Sequence, residues 1–535
     1  MDYQKEEFES KNLDHLGIVA GIIDDIGIVE KINDIFLVDS RENINTGEVV
    51  KAIILNGLGF VSKPLYLFSQ FFDNKALENL LGVGIKAEDL NDDKLGRVMN
   101  KLYKYGLTKL FLLIALEVVK KYEISTKYSH LDSTSLHLHG KYKNRLNNHE
   151  KELEIVRENP IIITQGYSRD HRPDLKQCIL DLIVSSDGDI PLFFRGASGN
   201  EADKAVFGKI LVEYSKQIDF ESIMVADSAL YSADNLKLME NIKWISRVPL
   251  SIKKAKSLLK AFLSEELKES EIKGYSYKEE KVTYGGIEQR WVLVESADRK
   301  KADLNKLTQK IPEEALKIGK QLVKLRKDEF EQLSIAEAKI KELESKLKYH
   351  QFSEVKIIER KIKDEKIIYK IEIELRESQE LIASNKNQAG RFILATNILD
   401  ITELEALDIL RVYKQQQSSE RGFRFIKDPL FFADSLFVKN PERVETMMML
   451  MGLCLLVYNL GQRQLRMTLK TQKAAVKNQL NKLTERPTLR WIFQCFQGVH
   501  VLITQGIQRI INLSDERRRI LQFLPASCQK YYFLA

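Results

Sequence analysis

Between residues 126 and 249 the chain changes texture, and that change limits the fold more than any other feature. The runs YSHLDSTSLHL, PIIITQGY, QCILDLIVSS and IPLFFRG are short and apolar or alternating. A helical DKAVFGKILVEYSKQI follows, then SIMVADSAL and IKWISRVP. Consecutive β-rich runs, one amphipathic helix and further strands specify a mixed α/β sheet with Asp132 in its first strand. Upstream, LDHLGIVAGIIDDIGIVEKINDIF and KLGRVMNKLYKYGLTKLFLLIALEVVKKY space apolar residues by three and four, which predicts a helical N-terminal domain over residues 1–125.

After residue 250 the pattern breaks again. KSLLKAFLSEEL reads as helix, and YSYKEEKVTYGGIEQRWVLVES as a hairpin turning at Gly285-Gly286. Residues 301–349 are a Lys/Glu-rich amphipathic stretch, read as two helices punctuated near Pro312. Strand-like KIIYKIEIEL precedes GRFILATN, which resembles a return to the core sheet. The expected layout is therefore a core in two parts, 126–249 and 389–470, interrupted by an α+β insertion over 250–388. A basic helical C-terminal region, 471–535, completes it. A chain of 535 residues is in any case too long for one core.

Charge is uneven. Residues 1–125 hold 15 Lys+Arg against 20 Asp+Glu, whereas residues 461–535 hold 13 against 3. A basic tail on a chain of formal charge +7 suits a polyanion such as nucleic acid, or else a solvated basic face. Cys178, Cys454, Cys495 and Cys528 show no C-x-x-C pairing, which excludes a thiolate zinc site and suits a reducing cytoplasm. The opening MDYQKEEFES is acidic and polar, unlike a signal peptide. MMMLMGLCLLVY at 447–458 is too short to span a bilayer, so it reads as a buried helix and no membrane is expected.

Three carboxylates stand out. Asp132 lies in a strand-like run, and Asp227 ends another, IMVAD, where side chains of α/β sheets reach a site. Taken alone, each reads more plainly as a cap or turn residue; Asp227 could introduce the helix near Ser232. In YKQQQSSERGFRFIKDP, 413–429, a helix would put Tyr413, Gln416, Glu420, Arg424 and Lys427 within about 80° on one face. His130, His137 and His139 crowd around Asp132 but lack zinc-hydrolase spacing. His130 shares the strand face of Asp132; His137 and His139 point the other way.

The order Tyr413, Glu420, Lys427, at intervals of seven, resembles the Y-(2)-R-(3)-E-(6)-K signature of bacterial insertion-sequence DDE transposases. Asp132, Asp227, the β-rich insertion and GYSRDHRPDLKQ extend the resemblance over nearly the whole chain. It implies an RNase H-like catalytic core that cuts double-stranded DNA at terminal inverted repeats and joins 3′-hydroxyls to target DNA, through a hairpin in related enzymes. It also implies two Mg²⁺ per active site, with Mn²⁺ as a substitute, held by Asp132, Asp227 and Glu420, and a homodimer on paired ends. Tyr413, Arg424 and Lys427 would hold phosphates. The family arginine position carries Gln416, which brings no charge, so Arg421 or Arg424 would compensate. A hairpin needs a base out of the stack, and Trp291 is the candidate platform, a packed strand tryptophan being the plain alternative. Arg169, His171, Arg172 and Lys176 either approach DNA or form a turn and strand start. The rival readings are a metal-dependent nuclease on the same fold and an inactive DNA-binding relative.

Overall fold

The structure, a computed structural model, describes residues 8–60, 63–138, 142, 160–166, 172, 174–218, 221–361, 367–416, 422–425, 427 and 440–533. The chain divides into two compact units, residues 1–244 with 412–535, and residues 245–411.

In the first unit the expected mixed sheet is present. Its strands run in the order Pro191–Ser198, Lys176–Ser185, Tyr128–Leu138, Ile223–Ala226. Neighbours among the first three are antiparallel, and Ile223–Ala226 joins Tyr128–Leu138 in parallel. This order fits an RNase H-like α/β core. Strand alternation sends Phe193 against Tyr214 of the helix Asp203–Gln217 and Phe194 against Phe111 of the helix Leu107–Lys121. Adjacent residues therefore bury on opposite faces, so the sheet is covered on both, and this explains why its strands read as continuous apolar runs. PIIITQGY is not one of them: residues 160–166 make only an isolated bridge, Thr164 to Gln177.

MMMLMGLCLLVY lies in the helix Pro441–Thr471, which starts on an Asn440 side chain accepting from the Glu442 N–H with proline at its first position. Its 31 residues are long and apolar enough to cross a membrane, yet 94% of its most apolar window is buried inside this unit. It is a core helix, packed on the strand Pro191–Ser198 and on the helices of residues 46–121.

Two expectations about the chain ends need correction. The C-terminal region is not all helical: His500–Thr504 and Ile507–Ile511 form a hairpin, and Phe8–Asn12 adds to it as a third strand. The Gln505-Gly506 turn has φ of 50° and 78°, as a two-residue hairpin of that twist requires. Nor do residues 1–125 stand apart from that region. Tyr532 donates to the Asp14 carbonyl (2.6 Å), and Tyr531 to Asp24 (2.6 Å), which also accepts from the buried Lys51 (2.6 Å). A charge taken out of water persists only when paired in this way.

The second unit holds strands in the order Arg391–Thr396, Ile287–Ser296, Tyr275–Tyr284, Lys268–Glu269. The hairpin turns at Gly285-Gly286, with φ of 65° and 84°. GRFILATN pairs antiparallel with Ile287–Ser296, inside this unit. Two helices occupy 301–349, but Pro312 sits within the first, Ala297–Leu325, and the break falls before the second, Leu333–Glu344. Proline removes one N–H and one i–4 bond, which a long helix with a solvated face tolerates. Ile318, Leu322, Leu325, Ala336, Ile340 and Leu343 of these helices enclose a core with Ile371 and Ile373. Those last two belong to a hairpin, His350–Lys361 with Ile367–Glu377, whose first strand the sequence reading missed.

Candidate active site

Tyr128–Leu138 and Ile223–Ala226 pair with Leu131 opposite Ala226. Continued by one residue, that register sets Asp132 beside Asp227, on strands about 4.8 Å apart. Opposed residues of a parallel pair share a face. Both aspartates are partly exposed, although the residues flanking Asp132 on either side are buried. That register would bring together, at accessible points of a buried sheet, two carboxylates 95 residues apart in sequence.

Local hydrogen bonds orient both. An oxygen of Asp132 accepts from the Ser133 N–H (2.8 Å), and one of Asp227 from the Ala229 N–H (2.8 Å). Asp227 is thus a turn residue, but it does not cap the next helix. Ser232 does, accepting from the Asn235 N–H ahead of Ala233–Leu238. In each case one backbone N–H fixes the carboxylate in place.

His130 is fully buried, and neither ring nitrogen has a hydrogen-bond partner among the described residues. Burial pushes its imidazole down to about 4, so it is neutral at pH 7. His137 is partly exposed, and His139 lies outside the described residues.

On the other face from Asp132 is a charged cluster that the sequence reading missed. Ser133 donates to Asp181; Arg195 donates to Asp181 (2.6 Å) and through both terminal nitrogens to Glu201 (2.7 and 2.9 Å). Burial works against the Arg195 charge, but Asp181 and Glu201 beside it hold the guanidinium above its ordinary pKa. The cluster ties the Asp132 strand to its antiparallel neighbour Lys176–Ser185 and, through Arg195, to the next strand, Pro191–Ser198. A signal existed: single charges inside CILDLIVS and PLFFRG are too costly to bury unpaired.

Other expected site residues fall differently. Trp291 is corrected: it is fully buried, with its indole N–H on Gln289 (3.1 Å), so it packs the second unit's sheet and presents no face to a base. Tyr413 is half-buried in the helix Ala406–Gln415. Gln416 is buried in the turn that follows, and its side-chain oxygen has no partner among the described residues. Glu420 and Arg421 lie outside the described residues, so the shared helical face is not placed. Arg424 is exposed and Lys427 partly so. Lys176 opens its strand opposite Leu138, Arg172 pairs with Asp174 (2.8 Å), and Arg169 and His171 lie outside the described residues.

Hard oxygen donors side by side suit Mg²⁺ or Mn²⁺ rather than a soft metal. Asp132 and Asp227 fit such an ion as two of its ligands. Among the described residues no group of three or more His, Cys, Asp or Glu could hold a metal.

Comparison with known proteins adds the following. Residues 129–460 match a family described as a transposase DDE domain, and residues 8–116 a domain of unknown function, DUF4277. No curated protein matches the sequence. Among solved structures, the chain is similar to a piggyBac transposase synaptic complex with hairpin DNA, at 10% identity and TM-score 0.36, covering 97% of this chain and 88% of that one. It is also similar to a Mos1 transposase paired-end complex with a left transposon end, at 11% identity and TM-score 0.15, covering 30% and 51%. At those TM-scores neither likeness carries weight beside the family match.

Proposed function

Because the chain belongs to the transposase DDE domain family over residues 129–460, we propose that it cuts DNA at the ends of a bacterial mobile element and joins the freed 3′ ends to target DNA. The observation that supports this best is the register that sets Asp132 beside Asp227 at an accessible point of a buried sheet.

Asp132 and Asp227, with Glu420 as the third carboxylate, would hold divalent cations, Mg²⁺ or Mn²⁺. When bound, such ions activate an attacking oxygen and stabilise a leaving one at phosphorus. The chain's own part is placement. The Ser133 and Ala229 N–H groups orient the two aspartates. The Ser133–Asp181–Arg195–Glu201 cluster locks the strand that carries Asp132. Arg424 and Lys427, with Tyr413, bring cations and a phenol from the Glu420 segment to the phosphates on either side of the cut. Gln416 supplies no charge there, so Arg424 or Arg421 carries that role. Cleavage through a hairpin, and a homodimer holding paired ends, complete the proposal.

The test uses purified protein, Mg²⁺ and labelled duplexes carrying the DNA that flanks the gene, resolved on a denaturing gel. Wild type should yield nicked and hairpin products and, with added target, joined strands; Asp227→Asn should yield none. Cleavage without joining would make the protein a nuclease. Binding without cleavage in the wild type would make it an inactive relative.

A further inference from the structure

A cavity of about 1140 Å³ in the first unit lies between the turn 186–189, the helix Pro441–Thr471 and the segment 485–490. Six cationic side chains line it: Arg424, Arg463, Arg466, Lys470, Arg486 and Arg490. Three acids, Asp187, Asp189 and Glu485, oppose them. Arg463 is spent on Asp187, through contacts of 2.9 and 2.7 Å. Lys470 and Arg486 are exposed and have no ion-pair partner among the described residues. The surplus is positive.

The arrangement is built rather than incidental. Arg463, Arg466 and Lys470 recur at three and four residues, so they project from one face of a single helix. The Arg466 Nε–H holds the Pro487 carbonyl (2.9 Å), the Leu489 N–H is held by Gln462 (3.1 Å), and the Arg490 N–H by the Tyr458 hydroxyl (3.1 Å). Helix and loop are thus locked before any ligand arrives, which lowers the entropy a ligand would otherwise cost. Phe425 and Tyr458 pack ring to ring at 4.6 Å along the wall.

Apart from Arg424, which it shares with the Glu420 segment, this cleft lies away from the carboxylates. Asp132 opposes Leu182, and the turn begins four residues further on, at Ser186, just past the strand's end. At about 3.3 Å per residue that is roughly 13 Å. Successive phosphates of one strand of B-DNA advance by about 3.4 Å along the helix axis. We propose that this cleft is a second station for DNA backbone, gripping phosphates about four or more nucleotides from the bond that is cut. The proposal rests on the transposase reading, and it assigns the basic C-terminal residues a place.

The test compares wild type, Lys470→Gln/Arg486→Gln, and a control of equal charge change in the second unit, Lys310→Gln/Lys317→Gln. The probe is a labelled duplex of arbitrary sequence, and its affinity is measured over a range of salt. Each lost phosphate contact flattens the plot of log affinity against log salt by about 0.9, so the cleft pair should lower the slope by about 1.8 and weaken binding. The control should leave both unchanged. An unchanged slope in the cleft variant, or an equal change in the control, overturns the proposal. Cleavage by the wild type and its loss in Asp227→Asn, run alongside, report on the transposase reading separately: the cleft can fail while that reading stands.

Discussion

Replacing Arg195 with methionine should be among the most damaging single changes to the catalytic sheet. The side chain is buried and makes three charged hydrogen bonds, one to Asp181 and two to Glu201. Glu201 keeps about 23% of its side chain exposed and can recover water, whereas Asp181 keeps 1% and cannot. The cost is therefore set by Asp181, left buried with Ser133 as its remaining partner. Removing one member of a buried pair costs about 3–5 kcal/mol. Replacing both, as Arg195→Met/Asp181→Leu, should recover most of it. The pH dependence follows from the same geometry. Burial already pushes the Asp181 carboxyl up against the opposing pull of Arg195, and without the guanidinium it rises further. A group whose folded pKa lies above its unfolded value contributes stability that is lost as pH rises through the folded value. The deficit of Arg195→Met against wild type should thus be larger at neutral than at mildly acid pH. Urea unfolding followed by circular dichroism at both pH values measures it. A deficit under about 1 kcal/mol at pH 7, the value of an exposed pair, would refute the reasoning. So would a deficit that does not change with pH.

Further outcomes are equally specific. A Cβ on Gly21 would lie 2.3 Å from the Cys528 Cα, a backbone atom that cannot swing aside, so Gly21→Ala should cost about 1–3 kcal/mol. In Gly452→Ala the nearest atom is a Phe111 ring carbon at 3.1 Å, and thermal melts should place that variant within about 1 kcal/mol of wild type. Trp291→Ala should cost about 3–5 kcal/mol as a core deletion, while the milder Trp291→Phe should keep every DNA product. Selective loss of the hairpin product in Trp291→Phe would return the indole to the DNA. Glu295 is buried, but Lys300, Arg391 and Ser264 hold its carboxyl below the ordinary range. Its contribution should be present at pH 7 and lost as pH falls through its folded value, so Glu295→Gln should flatten the acid side of the second unit's stability curve.

Much of the candidate site was legible in sequence for a plain reason: strand runs and turn dipeptides are local. YSHLDSTSLHL, QCILDLIVSS, IPLFFRG and IMVAD became strands where their patterning puts them, and Gly285-Gly286 became the turn that positive φ requires. Asp132 and Asp227 were singled out because a carboxylate in or ending an apolar strand run is costly without a partner, and because their order with Glu420 resembles the family's. Pairing was not legible. That the Asp132 strand runs parallel beside the strand leading into Asp227 follows from a register set by packing over some 95 residues of separation. That Arg195 neutralises Asp181 depends on which strands became neighbours. Trp291 read the same in sequence whether buried or offered to a base, and only the covering of its sheet decided it. The two ends of the chain, separated by about five hundred residues, close on each other through Phe8–Asn12 and Tyr532 because non-local burial, not local propensity, chooses the partner. By itself the sequence determined most strands of the first unit's sheet and put Asp132 and Asp227 forward as candidates. The tertiary structure decided which of them meet, since a strand's partner and a charge's counter-ion are properties of the packed chain.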